Sequence, residues 1–154
     1  VSLRDELMLK ALILTDEQAE KYGDLLEEAD TSQFSYTEEA YERDCDERAA
    51  ESADTFSYDN TGFTAHITLE EDNLVFFSVP YEEGWTATVN GEPVDVEKVQ
   101  IGFMAVKASD GDNVIQFYYE TPGLHTGIMI SIGAAAVLAA YWVVSSMYKR
   151  RHAE

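Results

Sequence analysis

The sequence predicts an α+β chain: an N-terminal helical segment, then an antiparallel, jelly-roll-like β-sandwich, then one C-terminal transmembrane helix. Apolar residues recur at helical spacing up to about residue 56 and alternate with polar ones from about residue 61. From Leu124 to Met147 there is no Asp, Glu, Lys or Arg. We therefore expect a helical segment over residues 1–56, a sandwich over 57–123, a span over 124–148 and a tail over 149–154.

The charge balance excludes one large class of partners. The chain carries 30 acidic and 10 basic residues, a net charge of −20, yet 45% of its residues are hydrophobic. That apolar fraction is typical of a folded domain and too high for a disordered acidic tail. So negative a surface repels nucleic acid, and we expect no nucleic-acid partner.

Two helices are predicted in the N-terminal segment. Thr15 and Gln18 fit a capping box, and the helix after them has one apolar face, made by Ala19, Tyr22, Leu26 and Ala29. A second helix is expected to begin near residues 35–37, with a face of Tyr41, Cys45, Ala49 and Ala53. Cys45 is the only cysteine, so we interpret it as a small core residue and exclude an internal disulfide.

Strand signals follow in close succession. Phe63, Ala65, Ile67 and Leu69 alternate with polar residues, and the apolar run Leu74–Phe77 suits a strand covered on both faces. Trp85, Ala87 and Val89 alternate up to Asn90-Gly91, a strong hairpin signal. Further strands are expected near residues 94–96, 100–107 and 113–120, the last two joined at Asp110-Gly111. Short strands linked by tight turns predict the sandwich.

The span has a predicted orientation and a predicted packing face. About 20 apolar residues cross a bilayer, and this run ends in Lys149, Arg150 and Arg151. The positive-inside rule places the tail in the cytoplasm and residues 1–123 outside the cell membrane. Small residues recur every four positions and form a face for packing against other transmembrane helices: Gly123, Gly127, Ser131, Ala135 and Ala139.

No catalytic, metal-binding or cofactor-binding set is expected in this chain. Glu82 and Glu83 are neighbours on a turn and cannot flank one glycosidic bond, and the three histidines are scattered. Tyr81 and Trp85 are candidate glycan contacts, because they could form a stacking platform. The alternative interpretation makes Trp85 a core anchor of its strand, since Ala87 and Val89 share its face.

Three segments together resemble the C-terminal end of the bacterial YfhO family of membrane proteins: "FFSVPYEEGWTATVNGEPV", "VQIGFMAV" and "FYYETPGLHTGIMISI". The resemblance covers roughly Phe56 to Tyr141, and more loosely the helical part from Leu3. Its most specific pieces are Pro80-Tyr81-x-x-Gly84-Trp85, Val89-Asn90-Gly91 and Tyr119-x-Thr121-Pro122-Gly123.

The resemblance implies a multi-spanning glycosyltransferase of the GT-C type, which uses a lipid-linked sugar to decorate cell-wall polymers such as lipoteichoic acid. The catalytic acids of that family would lie in loops between its early helices, so none is carried over to this chain. We expect the chain to be the C-terminal piece of such a protein, with a domain that holds the acceptor polymer or shapes the mouth of the active site. Two alternatives stay open: a glycan- or protein-binding ectodomain of a single-pass surface protein, and a structural cap of a membrane bundle.

Overall fold

The computed structural model describes residues 10–151, so the similarity from Leu3 to Leu9 and the end of the predicted tail lie outside it. The described chain forms two compact units that divide after Tyr119. The first holds helices α1 and α2, a 3₁₀ turn and eight strands, and the second holds helix α3. In chain order the elements are α1 Asp16–Lys21, the 3₁₀ turn Thr31–Gln33, α2 Glu38–Ala50, β1 Thr55–Tyr58, β2 Gly62–Leu69, β3 Asn73–Pro80, β4 Trp85–Val89, β5 Glu92–Val94, β6 Glu97–Val99, β7 Phe103–Ala108, β8 Gly111–Tyr119 and α3 Leu124–Arg151.

The strands form two antiparallel sheets. One has five strands in the order β1-β2-β8-β4-β5, and the other has three in the order β3-β7-β6. β2 pairs with the last strand β8, and β3 pairs with β7, which is a nested pairing of jelly-roll type. The predicted α+β class with an antiparallel sandwich and a C-terminal apolar helix is confirmed.

The core lies between the two sheets. Phe63, Ile115 and Phe117 reach it from the five-stranded sheet, and Phe77 and Met104 reach it from the three-stranded one. Phe63 stacks on Phe117 with ring centroids 4.5 Å apart. The predicted alternation in β2 is confirmed, because Phe63, Ala65 and Ile67 are buried while His66 and Thr68 are exposed.

The predicted Asn90-Gly91 turn is also confirmed. Val89 pairs with Glu92, so the loop has two residues, and φ is 53° at Asn90 and 85° at Gly91. Both values lie in the left-handed region that a type I′ turn requires. The side chain of Asn90 extends the pairing with β8, since its Oδ1 accepts from the Val114 N–H at 2.8 Å.

The first helix is shorter than predicted. The Thr15–Gln18 capping box is present, but the helix ends at Lys21 and never reaches Ala29. Gly23 and Asp24 are poor helix formers, and the turn they make lets Tyr22 pack with Leu25 and Leu26. These side chains cover the outer face of the three-stranded sheet, where Leu74, Val99 and Ala105 are buried.

Glu97 ties the first helix to strand β6. It accepts hydrogen bonds from Lys21 Nζ at 2.7 Å, Tyr22 Oη at 2.7 Å and Gln18 Nε2 at 2.8 Å. Burial acts to raise the pKa of Glu97, but these three donors outweigh it and lower the pKa below its ordinary value. The hydrogen bond to Glu97 is the largest of several effects that raise the pKa of Lys21. The N-terminal segment is therefore held by charge-assisted bonds as well as by apolar contact.

The second helix begins as predicted, with Thr37 as N-cap, but its buried face is rotated by one residue. Ala40 and Asp44 are buried, Cys45 is half-buried and Ala49 is exposed. Asp44 is turned inward because it pairs with Lys10, and this ion pair lowers the pKa of Asp44. The predicted face of Tyr41, Cys45, Ala49 and Ala53 is therefore only partly right: Ala49 is exposed, whereas Tyr41, Cys45 and Ala53 are half-buried.

Three strand predictions also need correction. β1 starts at Thr55, inside the predicted helical region, and all four of its residues are exposed. The strand expected over residues 100–107 begins only at Phe103, because Gln100–Gly102 form the turn between β6 and β7. In β3, Leu74 and Phe77 are buried, but Phe76 is 40% exposed, so only part of this apolar run is covered on both faces.

The second unit is the apolar helix α3. It has 28 residues, long and apolar enough to cross a membrane, and none of its residues is buried. It begins just after Gly123, whose φ is 80°. A left-handed residue there is easiest for glycine, which lets the chain turn out of its extended path into the helix.

Candidate functional site

Trp85 is a core-packing residue at the start of β4. Its ring lies 5.6 Å from that of Phe63, 6.1 Å from that of Phe117 and 5.1 Å from that of Tyr119, measured between centroids. The side chain is half-buried against the main core. This geometry favours the core-anchor interpretation, although part of the side chain is exposed.

Tyr81 lies in the connection between β3 and β4. Its N–H donates to the Gly102 carbonyl at 2.9 Å, and Lys98 Nζ lies 5.9 Å from the centre of its ring. Like Trp85, it is half-buried and packs against the main core. Neither ring is fully exposed to solvent. Contact of Tyr81 and Trp85 with a sugar therefore stays a proposal, which rests on the exposed edges of the two rings.

The outer face of the five-stranded sheet is polar but almost free of acidic residues. Strand register places one set of side chains of β2, β4 and β8 on this face, opposite the core: Thr64, His66, Thr68, Thr86, Thr88, Asp112, Val114, Gln116 and Tyr118. Asp112 is the one acid among these nine residues, in a chain that has 30. Thr88 Oγ1 is enclosed and has no hydrogen-bond partner. Hydroxyl and amide groups beside an aromatic ring are the side chains that hydrogen-bond and stack on sugars.

A shallow depression of about 180 Å³ lies at one end of this face. Tyr58, Asp59, Thr64 and Tyr118 line it, together with the start of β2. Asp59 Oδ1 accepts from the hydroxyl and the N–H of Thr61, both at 2.7 Å, and from the Gly62 N–H at 3.0 Å. These bonds, the one from the Thr61 hydroxyl first, lower the pKa of Asp59, so it is a fixed anion at neutral pH.

Tyr118 belongs to this surface, and our sequence reasoning did not select it. Its side chain is 51% exposed, whereas its neighbour Phe117 is 1% exposed. The available signal was the alternation in β8: a period of two that buries Ile115 and Phe117 turns Gln116 and Tyr118 outward. Aromatic residues of an exposed sheet face, more than those at a strand start such as Trp85, are the ones to test for ligand contact.

A second depression, of about 260 Å³, lies beside helix α2. Lys10, Arg43 and Arg48 line it, which concentrates basic residues in a very acidic chain. Each of them pairs with an acid: Lys10 with Asp44, Arg43 with Asp44 and Glu47, and Arg48 with Glu51. Their charges are therefore already neutralised, and the arrangement supports helix α2 more than it offers an anion site.

Catalytic chemistry has little support within residues 10–151. No group of three or more His, Cys, Asp or Glu side chains there is arranged to hold a metal ion. Glu82 and Glu83 are exposed, and Glu82 accepts the Trp85 N–H at 3.1 Å through its carbonyl, as part of a turn. His66 lies on strand β2 and His125 on helix α3, in different units.

The predicted packing face of the span is available along helix α3. Its residues are exposed from Gly123 through Ala139, and no heavy atom lies within 4 Å of a Cβ placed on Gly127. Ser131 Oγ donates to the Gly127 carbonyl at 2.8 Å, so its hydroxyl is satisfied within the helix. Small residues with internally satisfied polar groups allow a second helix to approach closely in lipid.

The described chain is a two-sheet β-domain followed in sequence by one helix that is long and apolar enough to cross a membrane, which is the arrangement expected of a membrane protein with a folded domain. The comparison with known families gives the particular one: the family described as "Bacterial membrane protein YfhO" matches residues 28–131. The chain belongs to the YfhO family.

A named relative agrees with this assignment. The chain is 30% identical over 93 residues to "Uncharacterized protein YfhO" of Bacillus subtilis (strain 168). The match covers 60% of this chain and 11% of that protein, so the chain spans about a tenth of the length of this relative. No solved structure matches the chain.

Proposed function

We propose that the chain is the extracytoplasmic accessory domain and the last transmembrane helix of a YfhO-like polytopic membrane protein. That protein is a glycosyltransferase which uses a lipid-linked sugar to decorate a cell-wall polymer such as lipoteichoic acid. The observation that carries the proposal is the family membership of a chain whose β-domain leads directly into a membrane-competent helix.

The role of the domain is to bind the acceptor polymer beside the membrane portion. The acid-poor outer sheet face supports this role, because it presents hydroxyls, an amide and Tyr118 where the rest of the domain is strongly acidic. Tyr81 and Trp85 contribute the exposed edges of their rings. Other transmembrane helices of the same protein pack on the face of Gly127, Ser131, Ala135 and Ala139.

The transferase chemistry is assigned to parts of the protein other than residues 10–151. Among the described residues, Asp44 and Glu97 form ion pairs and Asp59 accepts hydrogen bonds within its turn, so these acids have structural roles. No cofactor is proposed for it, and the lipid-linked sugar and the polymer are substrates of the whole protein.

The experiment compares three forms of the full-length protein in its host: wild type, Tyr118→Ala and Phe76→Ala. Phe76 is the matched control, an exposed aromatic of the other sheet. The sugar content of the purified polymer is measured by NMR. We expect Tyr118→Ala to lower it and Phe76→Ala to leave it unchanged, with equal amounts of protein in the membrane.

A second measurement tests where catalysis resides. The purified chain is incubated in detergent with a lipid-linked sugar donor and acceptor polymer. We expect no transfer. Transfer that is lost when an acid such as Asp59 or Glu83 is changed would refute the accessory role, and equal polymer decoration by all three forms would refute polymer binding by the outer face.

A further inference from the structure

The two ends of the sandwich differ in chemical character. One end, which we call the Tyr119 end, contains Tyr58, Gly62, Trp85 and Tyr119, because strand pairing places these residues close together. The opposite, Asp110 end contains the turns at Asn90-Gly91 and Ser109-Asp110 and the β2–β3 connection. Strand β3 ends at Pro80, and only residues 81–84 connect it to β4 at the Tyr119 end. Pro80 pairs with Phe103, the first residue of β7, so the β6–β7 turn lies at the Tyr119 end as well.

The Tyr119 end is the apolar one. Four large apolar side chains are exposed there, Tyr58 at 83%, Ile101 at 78%, Tyr118 at 51% and Tyr119 at 38%. Of the exposed large apolar side chains on strands β1–β8 and the turns between them, none lies at the Asp110 end. The Asp110 end is acidic instead, with Glu70, Glu71, Asp72, Glu92, Asp110 and Asp112.

Ile101 is held outward in an unfavourable backbone conformation. Its φ is 71°, a value that is rare for a β-branched residue, and the preceding Gln100 has a φ of 48°. Gln100 is 6% exposed and is fixed by three bonds to the N-terminal segment: its N–H and Nε2 donate to the carbonyls of Ile13 and Ala11, and its Oε1 accepts the Ile13 N–H. Strained backbone conformations cluster at functional sites. We therefore interpret the exposed Ile101 side chain as one that makes a contact.

Chain order links this end to the bilayer. Tyr119 ends β8 and Leu124 begins α3, so only Glu120–Gly123 intervene in the sequence. Tyrosine and tryptophan are enriched at the boundary between lipid and water, where an apolar ring and a polar tip are both satisfied. The Asp110 end offers the opposite chemistry, because hydrated carboxylates avoid the interface.

We propose that the Tyr119 end of the sandwich is a membrane-contact surface, in which Tyr58, Ile101 and Tyr119 insert into the lipid headgroup region, while Tyr118 stays on the outer sheet face. The occupant of this surface is lipid, and apolar insertion holds the contact. The acids near this end, Asp59, Glu82, Glu83 and Glu120, are exposed and remain in the aqueous layer. The contact would keep the outer sheet face, whose depression is lined by Tyr58 and Tyr118, close to the membrane surface.

The test uses nitroxide spin labels on the full chain in phosphatidylcholine nanodiscs. Single cysteines are placed in a Cys45→Ala background at Tyr58 and Ile101, with Glu92 and Asp110 as matched exposed controls at the other end. The accessibility of each label to oxygen, which partitions into lipid, is compared with that to a water-soluble nickel chelate. Circular dichroism that matches the parent confirms that each variant is folded.

We expect labels at positions 58 and 101 to shift toward oxygen and away from the nickel chelate, and the controls to stay accessible to nickel. The shift should persist at high salt, because it does not depend on charge. Equal nickel accessibility at both ends would overturn the proposal. Labels shielded from both reagents would indicate a protein surface as the occupant and would overturn it as well. Neither result depends on glycosyltransferase activity.

Discussion

At the scale of the residue, Trp85 combines two properties: its ring packs against the core, and part of its side chain is exposed. Its alternation with Ala87 and Val89 directs it to the core, and its contacts with Phe63 and Phe117 agree. It is nevertheless half-buried, because it is the first residue of its strand and lies at the rim of the core.

Replacing Trp85 by alanine should reduce the free energy of unfolding by about 3 kcal/mol, since truncating a packed aromatic costs about 3–5 kcal/mol and this one is partly exposed. Thr86→Ala is the matched control, because Thr86 is exposed on the same strand. Denaturant melts of the full chain in detergent, followed by near-ultraviolet circular dichroism, measure both. A Trp85→Ala variant as stable as Thr86→Ala would contradict the core assignment.

Glu97 should make the stability of the fold depend on pH. Its pKa in the folded chain lies below its ordinary value, so its contribution is complete above about pH 4.5 and is lost as the pH falls through the lowered pKa. We expect Glu97→Gln to destabilise the chain at pH 7 and to approach the stability of wild type as the pH falls below about 4.

Thermal melts of wild type and Glu97→Gln across pH 3–7 check this expectation. Asp95→Asn is the control, because Asp95 also binds Lys21 but is 82% exposed at its side chain. A difference between wild type and Glu97→Gln that stays constant down to pH 3 would show that the ionised carboxylate contributes nothing.

At the scale of the element, the sequence is most informative where one face is buried. β2, β4 and β8 follow the alternation because one side of each strand meets the core. β1 was not predicted, since it is an exposed edge strand that lacks this contrast. The β6–β7 turn was missed because its left-handed residues are Gln100 and Ile101, where sequence patterns lead one to expect glycine or asparagine.

The pairing of β2 with β8 depends on a glycine. A Cβ placed on Gly62 would lie 1.8 Å from the Phe117 carbonyl oxygen, far inside van der Waals contact. Gly62→Ala should therefore separate the two strands and cost more than about 3 kcal/mol.

Gly102→Ala provides the comparison, because no heavy atom lies within 4 Å of a Cβ at that position. Its effect should stay within about 0.5 kcal/mol. The measurement is the denaturant concentration at the midpoint of unfolding, compared between the two variants. If Gly62→Ala and Gly102→Ala unfold at the same denaturant concentration, β2 and β8 are not as close at Gly62 as the structure shows.

At the scale of the whole molecule, the sequence was enough to predict the family, the fold class and the C-terminal apolar helix, because long apolar runs and ordered motifs can be recognised without tertiary context. The candidate site was harder. Tyr81 and Trp85 were selected for residue type and spacing, whereas the polar sheet face around Tyr118 arises from strands distant in sequence, whose register only the fold supplies.

The central proposal is that the β-domain lies outside the cell and helix α3 crosses the membrane. The most direct measurement is thiol labelling of intact cells that express the full protein, with a single cysteine at Asp110 or Ala153 in a Cys45→Ala background. We expect a membrane-impermeant maleimide to label the Asp110→Cys protein in intact cells and the Ala153→Cys protein only after permeabilisation, as the basic end of the span requires. Labelling of the tail but not of the β7–β8 turn in intact cells would contradict this topology.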